Sequence, residues 1–387
     1  MKLILYLILL LSLLTVNAES KFEIFGYYEP QYTGVCFDTD YYHVLTNKLR
    51  IDMKIDYSDD LSFGANFNFL LYGGKTRWNL LDYIPDRVSR TVDNQDSIFY
   101  EVDYENDVIL DNVYLRGSIK YADITIGRQQ ISLGTGYAWN PTDIFNIKEM
   151  SDTTYEQPGH NAVRLDIPLA DRSDAIMIYQ TDNDFERFAK LLRIKTGYGH
   201  FDYSLIVISS ERELTDFINF SSSEQNRLLV GGDIVGELLG LGVWAEYAYN
   251  FIDEGTDFAE SVLGIDYTFR GGVYVMSEYY RNTEGKTDYR KYDLNDWLRF
   301  ISAQTKAISR DQVYGLITLP LTDLITVGSS AIISVNDGSF SIIPTLNYIL
   351  LENLELQGFI NIAFGKNGTV FDKDFGNGGV LRMRLYF

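Results

Sequence analysis

The sequence contains a single cysteine, Cys36, among 387 residues. One thiol cannot form an internal disulfide, whereas a soluble secreted protein of this size often carries several. Basic residues are also few, because 33 Lys and Arg stand against 54 Asp and Glu, giving a net charge of −21. Phosphate binding needs clustered Lys and Arg, which argues against nucleic acid as a partner. Beyond the first residues, no apolar run reaches the ~20 residues of a membrane-spanning helix, so a helical membrane protein is excluded.

The first residues of the chain have the three successive regions of a secretory signal peptide. Lys2 supplies a positive charge, residues 3–14 form an apolar core, and residues 16–18 read Val-Asn-Ala, a plausible cleavage site. The apolar run is too short to span a bilayer, and no cysteine follows the cleavage site as in a lipoprotein. We therefore expect residues 1–18 to be a signal peptide and residues 19–387 to be the exported domain.

The sequence is instead rich in aromatic residues, and apolar residues alternate with polar ones in many segments. The chain has 29 Tyr and 23 Phe but only 7 Pro. At its end, Leu381, Met383, Leu385 and Phe387 alternate with Arg382 and Arg384. A strand directs alternate side chains to opposite faces, so this segment has one apolar face and one charged face. In a membrane barrel the apolar face contacts lipid and the charged face lines a wet lumen.

Strand-like segments of this kind follow one another along the chain, with no helical period in any long window. They number about 18, an even number within the range of bacterial barrels. We predict strands at 22–32, 43–57, 61–72, 109–120, 122–133, 160–167, 174–182, 187–196, 200–210, 226–236, 240–250, 258–269, 271–282, 311–319, 322–335, 338–350, 353–365 and 378–387.

The connections between these segments alternate between short and long. If the first strand rises from the periplasm, all the inner turns are short, and the outer connections include every long one: 73–108, 134–159, 211–225, 283–310 and 366–377. Short periplasmic turns with long extracellular loops are typical of outer-membrane barrels. A β-helix or propeller needs a repeat that the sequence lacks, and a sandwich alternates as well but does not explain loops on one side. The predicted fold class is all-β, a single transmembrane antiparallel β-barrel of about 18 strands.

The last strand ends on Tyr386 and Phe387. A final amphipathic strand with a terminal aromatic residue resembles the signal by which bacterial outer-membrane barrels are recognised for assembly. The resemblance implies the barrel-assembly machinery as a partner, and an integral location in the outer membrane of a Gram-negative cell, in contact with lipid and lipopolysaccharide.

The least generic stretch runs from Ile126 to Asn146, with Gly-Arg-Gln-Gln at 127–130, a glycine-rich turn and Asn-Pro-Thr-Asp at 140–143. It resembles the third-loop region of large outer-membrane porins and of alginate-export-like barrels. In those families the loop often folds inward and narrows the channel. The alternative is a rigid extracellular loop without a constricting role, and the resemblance extends over about twenty residues only.

This segment supplies candidate constriction residues, namely Arg128, Gln129, Tyr137, Trp139, Asn140 and Asp143. Strict alternation would place Arg128 on the lipid side with Ile126, which is costly. We expect a bulge near Gly127 that turns Arg128 into the lumen. Asn140 and Asp143 are suited to hold a folded loop through local backbone hydrogen bonds.

Basic side chains predominate at the predicted lumen positions. The candidate pore residues are Arg50, Lys54, Arg116, Arg164, Arg193, Arg382 and Arg384. A basic lumen inside an acidic protein would favour anions by focusing the potential in the channel. The alternative is that these charges pair with acids on neighbouring strands and stiffen the wall.

The predicted function is passive diffusion of small hydrophilic solutes, with anions or acidic sugars as preferred classes. An enzyme is not expected, because the sequence has neither a Gly-x-Ser-x-Gly motif nor a His-Glu-x-x-His motif, and no cofactor or metal site is implied. The other hypothesis is a surface-binding or adhesive barrel whose extracellular loops carry the function. A homotrimer is an arrangement that the sequence leaves open.

Overall fold

The computed structural model describes residues 21–37, 40–92, 97–148, 156–373 and 376–387. The predicted signal peptide, residues 1–18, lies outside these ranges. Eighteen strands form one antiparallel sheet in which each strand pairs with its neighbours in chain order. The predicted all-β barrel and its strand count are therefore confirmed.

The strands are Lys21–Phe37 (β1), Asp40–Ser58 (β2), Leu61–Gly74 (β3), Arg77–Asn79 (β4), Glu101–Asp103 (β5), Asp107–Ile119 (β6), Ala122–Gln130 (β7), Gly159–Ala170 (β8), Ser173–Thr181 (β9), Phe188–Tyr198 (β10), Phe201–Asp216 (β11), Ser221–Leu238 (β12), Leu241–Ile252 (β13), Phe258–Thr268 (β14), Tyr274–Asn282 (β15), Asp311–Pro320 (β16), Ile325–Ser334 (β17), Phe340–Leu351 (β18), Leu354–Phe364 (β19) and Asn377–Tyr386 (β20). β4 and β5 pair only with each other, in the connection between β3 and β6.

The first and last strands close the barrel. β1 pairs with β2 on one side and with β20 on the other, where Tyr32 lies opposite Leu381 and Gln31 opposite Arg382. The terminal Phe387 extends the pairing, because its amide donates to the Gly26 carbonyl and its carbonyl oxygen accepts the Gly26 amide, each at 3.1 Å. A closed sheet leaves no strand edge with unpaired backbone groups, which a lipid environment requires.

Side chains alternate between an outward apolar face and an inward face. On β11, Leu205 is 72% exposed, whereas Ile206 beside it is 1% exposed. On β13, Tyr247 is exposed and Glu246 is buried. The exposed members of these alternations form an apolar outer band, as expected for a surface in contact with lipid.

The outer connections hold most of the remaining structure. The 3₁₀ turns Leu80–Tyr83 and Ser97–Tyr100 and the short helix Asp86–Ser89 (α1) lie between β3 and β6, and the turn Tyr289–Lys291 and the helix Leu294–Ile301 (α2) lie between β15 and β16. In the described part of the chain, no helix has the length and apolar character needed to cross a membrane.

These outer connections pack together over the mouth of the barrel. We define the outer cap as the described residues of 75–106, 283–310 and 365–373. Its apolar core contains Ile84, Val88, Tyr100, Tyr292, Leu294, Trp297, Leu298, Ile308 and Val370. The connections from β3 and β15 start on opposite arcs of the barrel, so their contact places a packed layer across the outer opening.

Candidate functional site

The connection between β7 and β8 enters the barrel. We call its residues 131–148 the lumen loop. The carboxylate of Glu246, on the inner face of β13, accepts hydrogen bonds from the amides of Thr135 and Thr142 at 2.9 and 2.6 Å and from the Thr142 hydroxyl at 2.8 Å. Since Glu246 faces away from lipid, the loop segment that reaches it lies inside the barrel. The alternative of a purely extracellular loop does not fit these contacts.

A second buried carboxylate fixes the loop further along the wall. Glu278 on β15 accepts the amides of Tyr137, Ala138 and Trp139 at 2.6, 2.9 and 2.9 Å. The Trp139 ring stacks on Tyr280, with ring centroids 5.0 Å apart. Backbone amides buried away from water need a partner, and ionised acceptors form the stronger hydrogen bonds. The two glutamates therefore replace water for this stretch of loop backbone.

Apolar packing holds the beginning of the loop. Ile131 and Leu133 are buried against inward-facing side chains of β9 to β12, including Ile178, Ile206 and Leu229. Several barrel strands therefore present aliphatic side chains to the loop where a water-filled barrel would present polar ones. The sequence alternation hides this region, since both faces of these strands carry apolar residues.

Gly134 lies at the turn where the loop approaches Glu246. Its φ is +79°, and a Cβ at this position would lie 2.5 Å from a Glu246 carboxylate oxygen. Both facts require glycine, because other residues are strained at positive φ and the space is filled.

Hydrogen bonds within the loop follow the prediction from its sequence. The Asp143 carboxylate accepts the amides of Phe145 and Asn146 at 2.9 and 3.1 Å, and the Asn140 side chain donates to the Leu133 carbonyl at 2.8 Å. Burial raises the pKa of the Asp143 carboxyl, and the hydrogen bonds that it accepts oppose this shift.

These contacts separate the candidate constriction residues into two groups. Trp139, Asn140 and Asp143 are 3%, 5% and 1% exposed, so they hold the loop and do not present a surface to a solute. Tyr137 is 42% exposed, with its ring 5.8 Å from that of Tyr314. Glu278 was missed by the sequence analysis. An acid at an inward strand position without a basic neighbour two residues away was the available signal.

The far end of the same connection docks on the opposite arc of the wall. Glu156 accepts the Tyr27 hydroxyl at 2.8 Å and pairs with Lys48 at 2.7 Å and Arg50 at 2.9 Å, on the inner faces of β1 and β2. Burial alone would raise the pKa of Glu156, but the attraction and hydrogen bonds of Lys48, with those of Tyr27 and Arg50, lower it overall. The connection therefore contacts the lumen wall on two opposite sides.

Four predicted pore residues meet in one cavity. We call Arg50, Lys54, Arg116 and Arg164 the basic wall. They line a space of about 520 Å³ together with the acids Asp52 and Asp166 and with the predicted residue Gln129. Four cationic and two anionic side chains give this lining a formal excess of two positive charges.

Each member of the basic wall also has an acidic partner. Arg50 pairs with Asp52 at 2.9 Å and Lys54 with Asp56 at 2.9 Å. Arg116 pairs with Asp123 at 2.6 Å and Arg164 with Asp166 at 2.7 Å. The alternative from the sequence, that lumen charges pair along the wall, is thus present in the geometry. With these four partners the formal charges balance, but Asp56 and Asp123 lie outside the cavity lining, so the lining itself keeps its excess of cations.

The remaining predicted lumen arginines lie on either side of this cavity. Arg384 on β20 pairs with Glu29 at 2.6 Å, and the adjacent Arg382 is 5% exposed. On β10, Arg193 lies 4.0 Å from Asp233. All three lie on the inner face but outside the basic-wall cavity.

The prediction for Arg128 is wrong. β7 keeps regular pairing through Gly127, with Val113 opposite Arg128, although Gly127 has a φ of +123°. Arg128 donates to the Asp111 carbonyl at 2.8 Å and to the Asn183 side chain at 2.7 Å, in the outer turn between β9 and β10. The register shift lies in the neighbouring β6, at Asp111. A guanidinium can thus avoid lipid by reaching the polar rim, without a bulge in its own strand.

Comparisons with solved structures agree with this architecture. Acinetobacter baumannii OccAB4 aligns with 95% of this chain and 97% of its own at a TM-score of 0.59 and 10% identity. Acinetobacter baumannii OccAB1 covers 96% of both chains at 0.58 and 10%, and Pseudomonas aeruginosa OccK5 covers 95% and 98% at 0.58 and 9%. No protein-family model and no curated protein matches the sequence.

The chain has the outer-membrane porin fold. At about one residue in ten identical, the likeness extends to the fold alone. The more specific resemblance to alginate-export-like barrels finds no support among these structures, and it is replaced by the broader class of porin barrels.

Proposed function

We propose that the protein is an integral outer-membrane channel for the passive diffusion of small hydrophilic solutes. The observation that carries the proposal is a closed barrel with an apolar exterior and a polar cavity of about 520 Å³ against its inner wall. A lumen loop that crosses the barrel interior would limit the size of the solute. A catalytic step is not part of the proposal.

Anions are the solute class that the basic wall favours. Its lining has an excess of positive charge, and low-dielectric walls focus the field of charges in a narrow passage. Acidic sugars carry one such charge with many hydroxyl groups, and they are one solute class to test. In this proposal the exposed Tyr137 contacts the solute, while Trp139, Asn140 and Asp143 support the loop and the buried Gln129 donates to strand carbonyls.

The test is single-channel conductance of the refolded mature protein in a planar bilayer under a salt gradient. Open steps with a reversal potential that favours anions are expected. The double variant Arg116→Gln and Arg164→Gln removes two wall charges and should shift the reversal potential towards zero. Arg128→Gln is the matched control, because that arginine lies at the rim, and it should leave the reversal potential unchanged.

Two results would contradict the proposal. Well-folded barrels that give no conductance would mean that the lumen is closed and that the protein does not act as a channel. Unchanged reversal potentials in the double variant would leave a channel but remove the basic wall as its selectivity element.

A surface-binding barrel is the second candidate. Aromatic side chains are exposed on the outer connections, where Phe99 and Phe220 lie in contact with ring centroids 5.1 Å apart. An exposed apolar pair of this kind is typical of contact surfaces. Replacing both residues with Ser would abolish cell-surface binding without altering conductance if this candidate were correct, whereas the channel proposal expects no effect on conductance and no binding to lose.

A further inference from the structure

A second charged cavity lies nearer the outer mouth of the barrel, away from the basic wall. Its volume is about 270 Å³, and it is bounded by the lumen loop, the inner faces of β11, β12, β14 and β15, and the 283–310 connection. The charged residues of its lining are Arg212, Arg227, Lys306, Asp143, Glu260 and Glu284. They belong to strands and loops that meet only in the folded barrel.

Two of its three cations are already paired. Arg212 forms two hydrogen bonds with the Glu284 carboxylate, at 2.9 and 2.8 Å. Lys306 lies 3.4 Å from Glu260 and donates to the Asn140 carbonyl at 2.7 Å. These contacts also account for both glutamates of the lining.

The third acid of the lining is occupied as well. Asp143 accepts hydrogen bonds from amides of its own loop, including those of Phe145, Asn146 and Leu133. Its acceptor oxygens therefore hold the loop and are not directed at a cation across the cavity.

Arg227 is the exception. Its Nε donates to the Ser210 hydroxyl at 3.1 Å, and among the described residues no carboxylate lies within ion-pair distance of its guanidinium. It lies between Ser210 and Ile252 in the ladders of β12, and it is half-buried. A guanidinium carries five N–H donors, and leaving most of them without an acceptor in a confined site is unfavourable.

We propose that this cavity is a binding site for a small solute with one anionic group, a carboxylate or a phosphate monoester, held by Arg227. The planar fork of an arginine matches either group with two parallel hydrogen bonds. The proposal rests on the proposed function, because the solute reaches the site through the channel. It adds a discrete binding site along the permeation path, separate from the basic wall.

Size restricts the solute. A volume of about 270 Å³ lies just below the ~300–1,000 Å³ of pockets for drug-sized ligands. The three cations and three acids of the lining balance in formal charge, so Arg227 is the local source of positive potential and the site suits a solute with a single anionic group. Repulsion from Glu260 and Glu284 would add to this preference.

The experiment is calorimetric titration of the refolded mature protein in detergent micelles at low ionic strength. Sodium acetate and inorganic phosphate serve as separate probes, so that the two anion classes are distinguished. We expect saturable binding of at least one probe, and a loss of at least tenfold in affinity for Arg227→Gln. Arg187→Gln is the matched control, because that arginine pairs with Asp182 at the outer rim. The affinity of this variant for the anion probes should equal that of the parent.

Binding that is equal in the parent and Arg227→Gln proteins would overturn the inference, and so would the absence of binding of either probe. If Arg227→Gln fails to fold, Arg227→Lys keeps the charge but not the fork, and it should bind more weakly than the parent. Conductance measured in parallel separates the two proposals. A conducting barrel without anion binding defeats this inference alone, and anion binding by a silent barrel defeats the channel alone.

Discussion

At the scale of single residues, two buried carboxylates account for the position of the lumen loop. Glu246 and Glu278 accept backbone amides from most of residues 135–142, which would otherwise be buried without partners. Such acceptors act on the loop as an N-cap side chain acts on a helix, by satisfying donors that the local structure cannot satisfy.

Glu278→Ala should release the loop from β15. Each hydrogen bond to a charged group contributes about 1.5–3 kcal/mol, so the variant should loosen residues 137–139 and increase open-channel noise and mean conductance. Hydrogen exchange of the loop amides measures the loosening directly. Glu237→Gln is the control, since that glutamate is exposed near the inner turn. Unchanged exchange in Glu278→Ala would show that apolar packing alone holds the loop.

At the scale of elements, α2 anchors the outer cap. Asp293 and Asp296 form a capping box at its start, each side chain accepting the other residue's amide, at 3.0 and 2.8 Å. Trp297 and Leu298 point into the cap core, where they are 2% and 0% exposed. The cap is thus a small packed unit that the outer connections join to the barrel.

Trp297→Ala should destabilise the cap without unfolding the barrel. Truncating a buried tryptophan to alanine typically costs about 3–5 kcal/mol, so the packing of the cap should loosen. We expect faster proteolysis within 283–310 at unchanged heat-modifiable mobility of the barrel on gels. Phe185→Ala, at a position 65% exposed, should not change the cleavage rate. Cleavage of Trp297→Ala at the rate of the parent protein would mean that polar backbone contacts, and not the Trp297 side chain, hold the cap.

At the scale of the whole molecule, the lumen has two unlike halves. Basic side chains line the arc from β20 to β8, while the arc from β9 to β16 is covered by the lumen loop. Glu156 joins the halves, because it belongs to the same connection as the loop and docks on Lys48 and Arg50.

This arrangement predicts a selectivity that depends on pH. The pKa of Glu156 is lowered, so its ion pairs are present above that pKa and are lost as pH falls through it. Protonation leaves Lys48 without its carboxylate partner and Arg50 with Asp52 alone, so the anion preference should increase on acidification. Reversal potentials measured from neutral to acidic pH give the readout.

Glu156→Gln separates this effect from the other lumen acids, such as Asp52 and Glu29. The variant should be more anion-selective than the parent at neutral pH, and the difference should vanish at acidic pH. A difference that persists at all pH values would assign the change to altered loop position and not to charge.

Much of the fold was predictable because its signals are local. Alternation of side chains within each strand marks the eighteen barrel strands, and the difference between short turns and long loops marks the two ends. Local hydrogen bonding also made the roles of Asn140 and Asp143 predictable, since both act within a few residues of their own position.

The site was less predictable because its contacts connect distant parts of the chain. Glu278 meets residues 137–139 across about 140 positions, and nothing near Glu278 in the sequence indicates that it has amide partners. Arg128 shows the same limit in the other direction, because its partner Asn183 becomes a neighbour only when β7, β8 and β9 are aligned.

The sequence by itself determined an antiparallel membrane barrel, since a period of two with apolar residues on one face permits little else for strands this numerous. Tertiary structure alone decided what fills the lumen, which arginines have acidic partners and which, like Arg227, have none among the described residues. The physical reason is that alternation fixes the face of a side chain, whereas its partner depends on the register between strands and on where each long loop comes to rest.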